Sequence, residues 1–224
     1  MQEFLPILSR CPLFDGIDPA DIPGLLTCLG AELRTAKKNT PFFSEGDPAR
    51  YVGIVLSGAV QIVRDDYYGN RSILSHAMPG ELFGETFACA AVDAMPVTVL
   101  ALEDATALCI DCRRITRTCS NACDFHNRIV LNLLQVVAAK NLSFHKKLEI
   151  TSRRTTREKL LAYLLWQAKT HRKASFTIPY DRQGLADYLA VDRSAMSAEL
   201  SKLRKDGIID FDRSHFTLLT EVTV

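Results

Sequence analysis

Toward the C-terminus, Arg193, Ser194, Ser197 and Ser201 recur at helical spacing on one face, and Lys202, Arg204 and Lys205 follow them. An arginine among short hydroxyl side chains suits the edges of base pairs. Its guanidinium can bond guanine O6 and N7 together, a contact worth about 1–3 kcal/mol in discrimination. Lysines and arginines further along such a helix meet phosphates, which supply affinity without sequence information. Any one of these residues could equally be a solvated helix position, so the reading depends on the elements that carry them.

Those elements read as two helices, 181–189 and 193–206, joined by the short turn Ala190-Val191-Asp192, which is the pattern of a helix-turn-helix. Leu185, Leu189, Val191 and Met196 are spaced to form the core between them, and Ala186 is small where the second helix must cross closely. Asp192 can accept a bond from an early backbone N–H of the second helix, and Gly207 can end it. Residues 208–212 and 216–219 flank Arg213-Ser214-His215 as a β-hairpin, and an apolar helix, 157–169, comes before. Helix, helix-turn-helix and hairpin in this order predict a winged helix-turn-helix that binds double-stranded DNA. Two positions depart from that pattern: Ala190 stands where glycine is usual, and Glu199 where an apolar residue is usual. Leu200 and Leu203 can still anchor the helix.

Upstream, residues 124–149 read as one long helix. Val130, Leu134, Val137, Asn141, Phe144 and Leu148 alternate at spacings of four and three. That is a heptad seam for a second copy of the chain, and Asn141 is a polar intruder of the kind that fixes register. Ile129, Leu131 and Leu133 supply a second apolar face for the helix's own domain.

Before the helix, runs rich in β-formers at 51–56, 60–64, 72–76, 97–102 and 107–110 alternate with turns marked by Gly46, Gly58, Gly69 and Gly80. Short strands at regular spacing predict a small β-barrel or β-roll. Residues 1–30 read as short helices broken by Pro12, Pro19 and Pro23. The expected architecture is α+β: a β-roll sensing domain at 1–123, a dimerisation helix at 124–150 and a winged-helix DNA-binding domain at 151–224.

Composition agrees. Hydrophobic residues at 47% and charged residues at 24% suit a globular chain. Residues 1–150 hold 14 Lys and Arg against 17 Asp and Glu, while residues 151–224 hold 13 against 9, so the third expected to meet a polyanion is the basic one. Glu3 and Pro6 do not fit a signal peptide, and no run approaches the ~18 apolar residues of a membrane span; a cytoplasmic protein without a membrane partner is expected. Seven cysteines without an export signal point to reduced thiols.

Three further motifs, Phe43-Ser44-Glu45-Gly46-Asp47, Leu56-Ser57-Gly58 and Pro79-Gly80-Glu81-Leu82-Phe83-Gly84-Glu85, complete a resemblance to the CRP/FNR family of bacterial transcription regulators over nearly the whole chain. The resemblance implies a cyclic-nucleotide-binding-like β-roll, a homodimer on a palindromic operator, a small-molecule effector and RNA polymerase as a further partner. In members that bind cyclic AMP, the backbone matching Gly84 to Phe87 and the glutamate matching Glu85 hold the nucleotide, with an arginine about ten residues later against its phosphate. The matching position here is Met95, followed by Pro96. No Lys or Arg occurs from Ser72 to Cys112, whereas Glu81, Glu85, Asp93, Glu103, Asp104 and Asp111 do. A buried phosphate without a cation is strongly disfavoured. The expected effector is therefore a small apolar molecule in a pocket of Gly84, Glu85, Thr86, Phe87, Met95, Val97, Thr98 and Phe144. The competing reading is that the apolar members simply fill the core.

Other sensor chemistries find weaker support. Cys11 and Cys28 lack the spacing of an N-terminal cluster site. Cys109-x2-Cys112-x6-Cys119-x3-Cys123 offers four thiolates, yet Cys109 and Cys112 three apart on a strand point to opposite faces. His76 and His126 are candidate haem ligands, and a thiol switch stays open. A module that regulates a protein partner without DNA is a further alternative. A cupin-like enzyme would cluster two histidines and a glutamate, and the β region has only His76. No catalytic residue, metal ligand or cofactor is assigned.

Overall fold

A computed structural model describes residues 2–69, 71–116 and 124–219. The chain divides into two compact units, Met1–Asn141 and Leu142–Val224.

In the first unit, helices α1 (Leu5–Leu8) and α2 (Ile22–Cys28) precede strands β1 (Glu32–Ala36), β2 (Pro41–Phe43), β3 (Tyr51–Ser57), β4 (Val60–Asp65), β5 (Arg71–Ala77) and β6 (Leu82–Phe83). Helix α3 (Glu85–Cys89), strands β7 (Thr98–Ala101) and β8 (Ala105–Asp111), and helix α4 (Cys112–Thr116) follow. The strands form two four-stranded antiparallel sheets, ordered β1-β8-β3-β6 and β2-β7-β4-β5. This is the expected β-roll.

Strand β3 shows how the roll is built. Its sequence Val52-Gly53-Ile54-Val55-Leu56 is buried throughout, as a strand covered on both faces must be. Val52, Ile54 and Leu56 join one cluster with Leu8, Leu13, Phe14 and Leu25 from the N-terminal segment. Val55 faces the roll interior with Phe43, Phe83, Met95 and Val97. Strand β8 alternates likewise, Leu108 and Ile110 outward, Ala107 and Cys109 inward. Gly53 has a steric reason: a Cβ there would lie 2.2 Å from Cζ of Phe83, which fills the space instead.

The long helix is α5 (Asp124–Thr151). Ile129, Leu133 and Val136 cover the outer cluster of the roll, and buried Asn132 donates its amide to the carbonyls of Leu13 and Asp15 at 2.9 and 2.8 Å. Leu131, expected on this buried face, is 48% exposed. It falls two residues from Ile129 and Leu133, about half a turn away, where the helix presents its other side. No helix among the described residues is long and apolar enough to cross a membrane.

In the second unit, α6 (Thr156–His171) begins at Thr155, whose hydroxyl accepts from the Glu158 amide while Glu158 reaches back to the Thr155 amide, a reciprocal capping box. Strand β9 (Ser175–Thr177), helices α7 (Arg182–Leu189) and α8 (Arg193–Lys205), and strands β10 (Ile209–Asp212) and β11 (His215–Leu218) complete it. The strands form one sheet ordered β10-β11-β9, so the predicted winged helix is present with its hairpin.

The core of this unit includes a tyrosine triad. Tyr163, Tyr180 and Tyr188 have ring centroids 4.9–6.3 Å apart, and the Lys147 ammonium lies 4.3 Å from the Tyr188 centroid. Burial outweighs the attraction of the ring and pushes Lys147 from 10.5 down to about 8. The unfolded chain therefore binds a proton that the folded one has lost, and stability of this unit rises with pH between about 8 and 10. Burial raises the three tyrosines, Tyr188 to about 12. Above pH ~10 the unfolded chain loses phenolic protons first, so stability falls again. The thermal midpoint followed by the fluorescence of Trp166, 6.0 Å from Tyr163, is expected to climb from pH 7.5 to 9.5. Lys147→Met is expected to flatten that climb; equal slopes in both proteins would exclude Lys147 as its source.

Candidate functional site

Helix α7 starts at Asp181, whose carboxylate accepts from the Gly184 amide at 2.7 Å. It stops because Ala190 takes a left-handed conformation, φ 51° and ψ 60°. That conformation is unfavourable for a residue with a Cβ by roughly 1–2 kcal/mol; the chain accepts it where glycine is usual because the turn must be this tight. Asp192 then caps α8 by accepting from the Ala195 amide at 2.9 Å. The Ser194 hydroxyl and that amide hold the Asp192 carboxyl below its usual range.

One face of α8 is inside: Met196, Leu200 and Leu203 are buried against Leu185, Ala186 and Leu189 of α7, also buried. Val191, expected in that core, is only half-buried. The flank beside that stripe carries Arg193 and Ser201, both exposed, and half-buried Ser197, with exposed Ser194 further round. Ser197 and Ser201 donate to the carbonyls of Arg193 and Ser197, one turn back, at 2.9 and 3.0 Å. With those protons used inside the helix, the hydroxyls present lone pairs outward and suit donors such as base amino groups.

The cations further along differ from one another. Lys202 pairs with Glu199 at 2.6 Å, and Glu199 also faces Arg157 at 4.0 Å, which explains how an acid is accommodated at an inward-leaning position. Arg204 pairs with Asp210 at 2.9 Å, donates to the Phe211 carbonyl and stacks 3.7 Å from the Phe211 centroid. It fastens α8 to the wing. Arg193 and Lys205 have no ion-pair partner among the described residues and are exposed. Arg213, exposed at the hairpin tip with φ 50°, is a further cation on this unit's surface.

At the other end of the chain, Gly84 adopts φ 77°, and a Cβ on it would come 2.8 Å from the Tyr51 carbonyl oxygen. This glycine turns the chain from β6 into α3, whose first residue, Glu85, is 2% exposed. Its Oε1 meets Lys140 Nζ of α5 at 2.9 Å and accepts from the Thr86 hydroxyl at 3.0 Å. Lys140 also donates to the Leu82 carbonyl. Oε2 of Glu85 is buried and has no hydrogen-bond partner among the described residues. The absence of cations from Ser72 to Cys112 is thus offset from 28 residues further on, but the cation supplied is already paired with the glutamate.

Met95 and Val97 are buried in the roll interior beside Phe43, Phe83 and Cys109, with Phe87 partly buried against them. The Thr98 hydroxyl accepts from the Glu45 amide at 3.2 Å. Gly84, Glu85, Thr86, Phe87, Met95, Val97 and Thr98 all belong to the first unit, and Phe144 belongs to the second. His76 is held by the Gln61 side chain at 2.9 Å, and His126 is buried. Cys119 and Cys123, half of the four-cysteine motif, lie outside the described residues.

Along α5 the seam residues are exposed except Val137, which packs against the outer cluster of the roll. Val130 is 41%, Leu134 64%, Phe144 40% and Leu148 65% exposed, and Asn141 is exposed while Val137 is half-buried. Leu131 and Leu142 widen the apolar stripe.

The sequence reading missed Lys140 and Glu85's commitment to it. The signal was present: Ile129, Leu133, Val136 and Lys140 follow the same four-three-four spacing, so a lysine occupies the inward stripe of the helix.

The model of the cyclic nucleotide-binding domain matches residues 33–122, and that of the Crp-like helix-turn-helix domain matches residues 158–221. The cyclic AMP receptor protein of Thermus thermophilus is 32% identical over 78 residues, 35% of this chain and 35% of that protein; the match spans about a third of that relative's length. Among solved structures, the c-di-GMP responsive global regulator CLP of Xanthomonas campestris shares the fold with a TM-score of 0.73 at 20% identity, over 91% of this chain and 100% of that one. FixK2 of Bradyrhizobium japonicum does so with a TM-score of 0.66 at 22% identity, over 85% and 93%. With a roll and a winged helix of these two kinds in tandem, joined by the long helix, the chain belongs to the CRP/FNR family of transcription regulators.

Proposed function

We propose that this chain is a homodimeric, signal-responsive transcription regulator that reads a palindromic duplex through α8. The observation that carries this reading is α8 itself, buried along Met196, Leu200 and Leu203 and open along Arg193, Ser197 and Ser201. In this reading Arg193 and the serines meet base edges, while Lys202, Lys205 and, to the extent that it leaves the wing, Arg204 meet phosphates. The seam of α5 joins two copies, so half-sites lie about one helical turn apart. RNA polymerase is the expected further partner.

The signal enters the roll. Its proposed ligand is small and apolar rather than a cyclic nucleotide, because the position matching the phosphate-binding arginine is buried Met95 and the glutamate matching the ribose ligand is held by Lys140. Ligand binding shifts the balance between two dimer forms that differ in affinity for DNA. Glu85 and Lys140 join the first residue of α3 to the long helix and are the proposed route for that shift.

Selection from a random duplex library at fixed salt, followed by native mass spectrometry of the purified protein, tests the reading. A two-fold symmetric consensus bound by a dimer is expected, and a monomer without sequence preference would overturn it. Arg193→Ala is expected to weaken the selected duplex about 10–100-fold and to relax the preference at one base pair per half-site. Lys205→Ala is expected to weaken all duplexes alike and to lower the salt dependence.

A further inference from the structure

Seven cysteines give this chain several thiols, but two sulfurs stand apart. Sγ of Cys89, the last residue of α3, lies 3.7 Å from Sγ of Cys112, the first residue of α4, in a sulfur–sulfur hydrogen bond. The two residues are 23 apart in sequence. Cys89 is exposed and Cys112 is buried. A disulfide brings sulfurs to ~2.05 Å, so the side chains already point at each other and need only close the remaining gap.

We propose that Cys89 and Cys112 form a redox site in the sensing unit, a dithiol that hydrogen peroxide oxidises to a disulfide and a small dithiol reductant reopens. Exposure gives Cys89 the first encounter. Its sulfur attacks one peroxide oxygen, the O–O bond breaks, and the second oxygen leaves as water with the thiol proton. The product is a sulfenic acid on Cys89. The Cys112 sulfur then attacks that sulfur: an S–S bond forms, the S–O bond breaks, and a second water leaves with the Cys112 proton. The two thiols lose two electrons, and the peroxide gains them.

The surroundings favour this pair over the buried thiols. Burial pushes Cys11 up to about 12 and Cys109 up to about 11, which keeps both protonated and inert. The Cys89–Cys112 pair goes the other way: the S–H···S bond stabilises one thiolate within the pair, so its first proton leaves below the usual 9.0 while its second is held more tightly. Either sulfur can hold the remaining proton, so the thiolate meets peroxide at exposed Cys89 while Cys112 keeps the proton it later gives up to water. The disulfide would tie the end of α3 to α4, and α3 begins with Glu85, the residue held by Lys140. The chemistry is independent of whether the chain binds DNA.

The test uses the reduced, full-length chain treated with a few equivalents of hydrogen peroxide, then alkylated and digested. Trypsin is unsuitable, because no Lys or Arg lies between Ser72 and Cys112; a protease that cuts beside Glu103 and Asp104 separates the two cysteines. The expected product is a peptide holding Cys89 linked to one holding Cys112, returned to free thiols by dithiothreitol. Cys112→Ser is expected to stop at a Cys89 sulfenic acid, trapped by dimedone, and Cys109→Ser is expected to change nothing. The proposal is overturned if Cys89 and Cys112 stay alkylatable while other cysteines oxidise, or if either links to a different cysteine.

Discussion

Lys140→Met is expected to destabilise the first unit by about 3 kcal/mol, and Glu85→Gln added to it is expected to restore at least half of that loss. Removing one partner of a buried ion pair leaves the other charge without compensation, which costs about 3–5 kcal/mol. The lower end applies here because the Lys140 side chain keeps 30% of its exposure, whereas Glu85 keeps 2%. Glu85 Oε2 has no hydrogen-bond partner among the described residues, so loss of Lys140 leaves the carboxylate with the Thr86 hydroxyl as its one partner among them. The Leu82 carbonyl loses its lysine donor as well. Replacing both charges by neutral groups removes the penalty at its origin, since buried pairs exchanged for uncharged side chains often come out near neutral. Urea unfolding followed by far-ultraviolet circular dichroism is the suitable measurement, because the chain's one tryptophan, Trp166, lies in the second unit. A loss below ~1 kcal/mol, the level of an ordinary exposed pair, would remove Glu85–Lys140 as a structural tie and with it the proposed route from α3 to α5. A double variant as unstable as the single one would mean that Lys140 acts through packing of its stem alone.

The same pair marks the limit of what the sequence discloses. The winged helix was legible almost residue by residue, because its signals are local: the Asp192 cap before α8, a three-residue turn and a glycine after the last turn of α8. The strands at 51–56, 60–64 and 72–76 were legible for a similar reason, since β-branched runs between glycines have few other uses. Strand β1 was not. Glu32-Leu33-Arg34-Thr35-Ala36 is polar, pairs only with β8 and has no fully buried residue, so its strand character comes from its neighbour rather than from its own residues. The apolar run alone puts the start of α6 at 157 rather than Thr156, and a reading that follows it passes over the capping box in Thr155-Thr156-Arg157-Glu158. Contacts between distant segments left no mark that a single sequence exposes. Glu85 with Lys140, and Cys89 with Cys112, are brought together by the closing of the roll, and each residue taken alone looks like a surface charge or a stray thiol. Arg204 makes the opposite point: its position on the helix suggests a phosphate contact, while the fold engages it with Asp210 and Phe211.

Replacing Leu134 and Leu148 together by glutamate is expected to give a folded monomer that binds the selected duplex at least ~100-fold more weakly. Both leucines are well exposed in the single chain, 64% and 65%, so polar replacements there cost the monomer little, as surface substitutions usually do. In a dimer joined at the α5 seam, the same substitutions place like charges against one another in the apolar stripe, where each heptad position should bury its side chain against a second copy. The effect on DNA is large because it is not confined to contacts made by these residues. Two linked reading heads hold each other near the second half-site at an effective concentration of order mM, and linkage raises affinity by about 10²–10⁴ over one head alone. A monomer forfeits that whole factor while keeping α8 intact, so its residual binding should fall on single half-sites with unchanged base preference. Asn141→Leu separates register from affinity: an apolar residue at this seam position strengthens association but loosens the choice of partner alignment, so a tighter dimer, or a mixture of oligomers, with poorer discrimination of half-site spacing is expected. Sedimentation equilibrium at micromolar protein reads the first effect, and competition among duplexes with half-sites moved apart by single base pairs reads the second. A Leu134→Glu, Leu148→Glu chain that still sediments as a dimer would show that the copies meet elsewhere, and the four-three spacing from Val130 to Leu148 would then need another explanation.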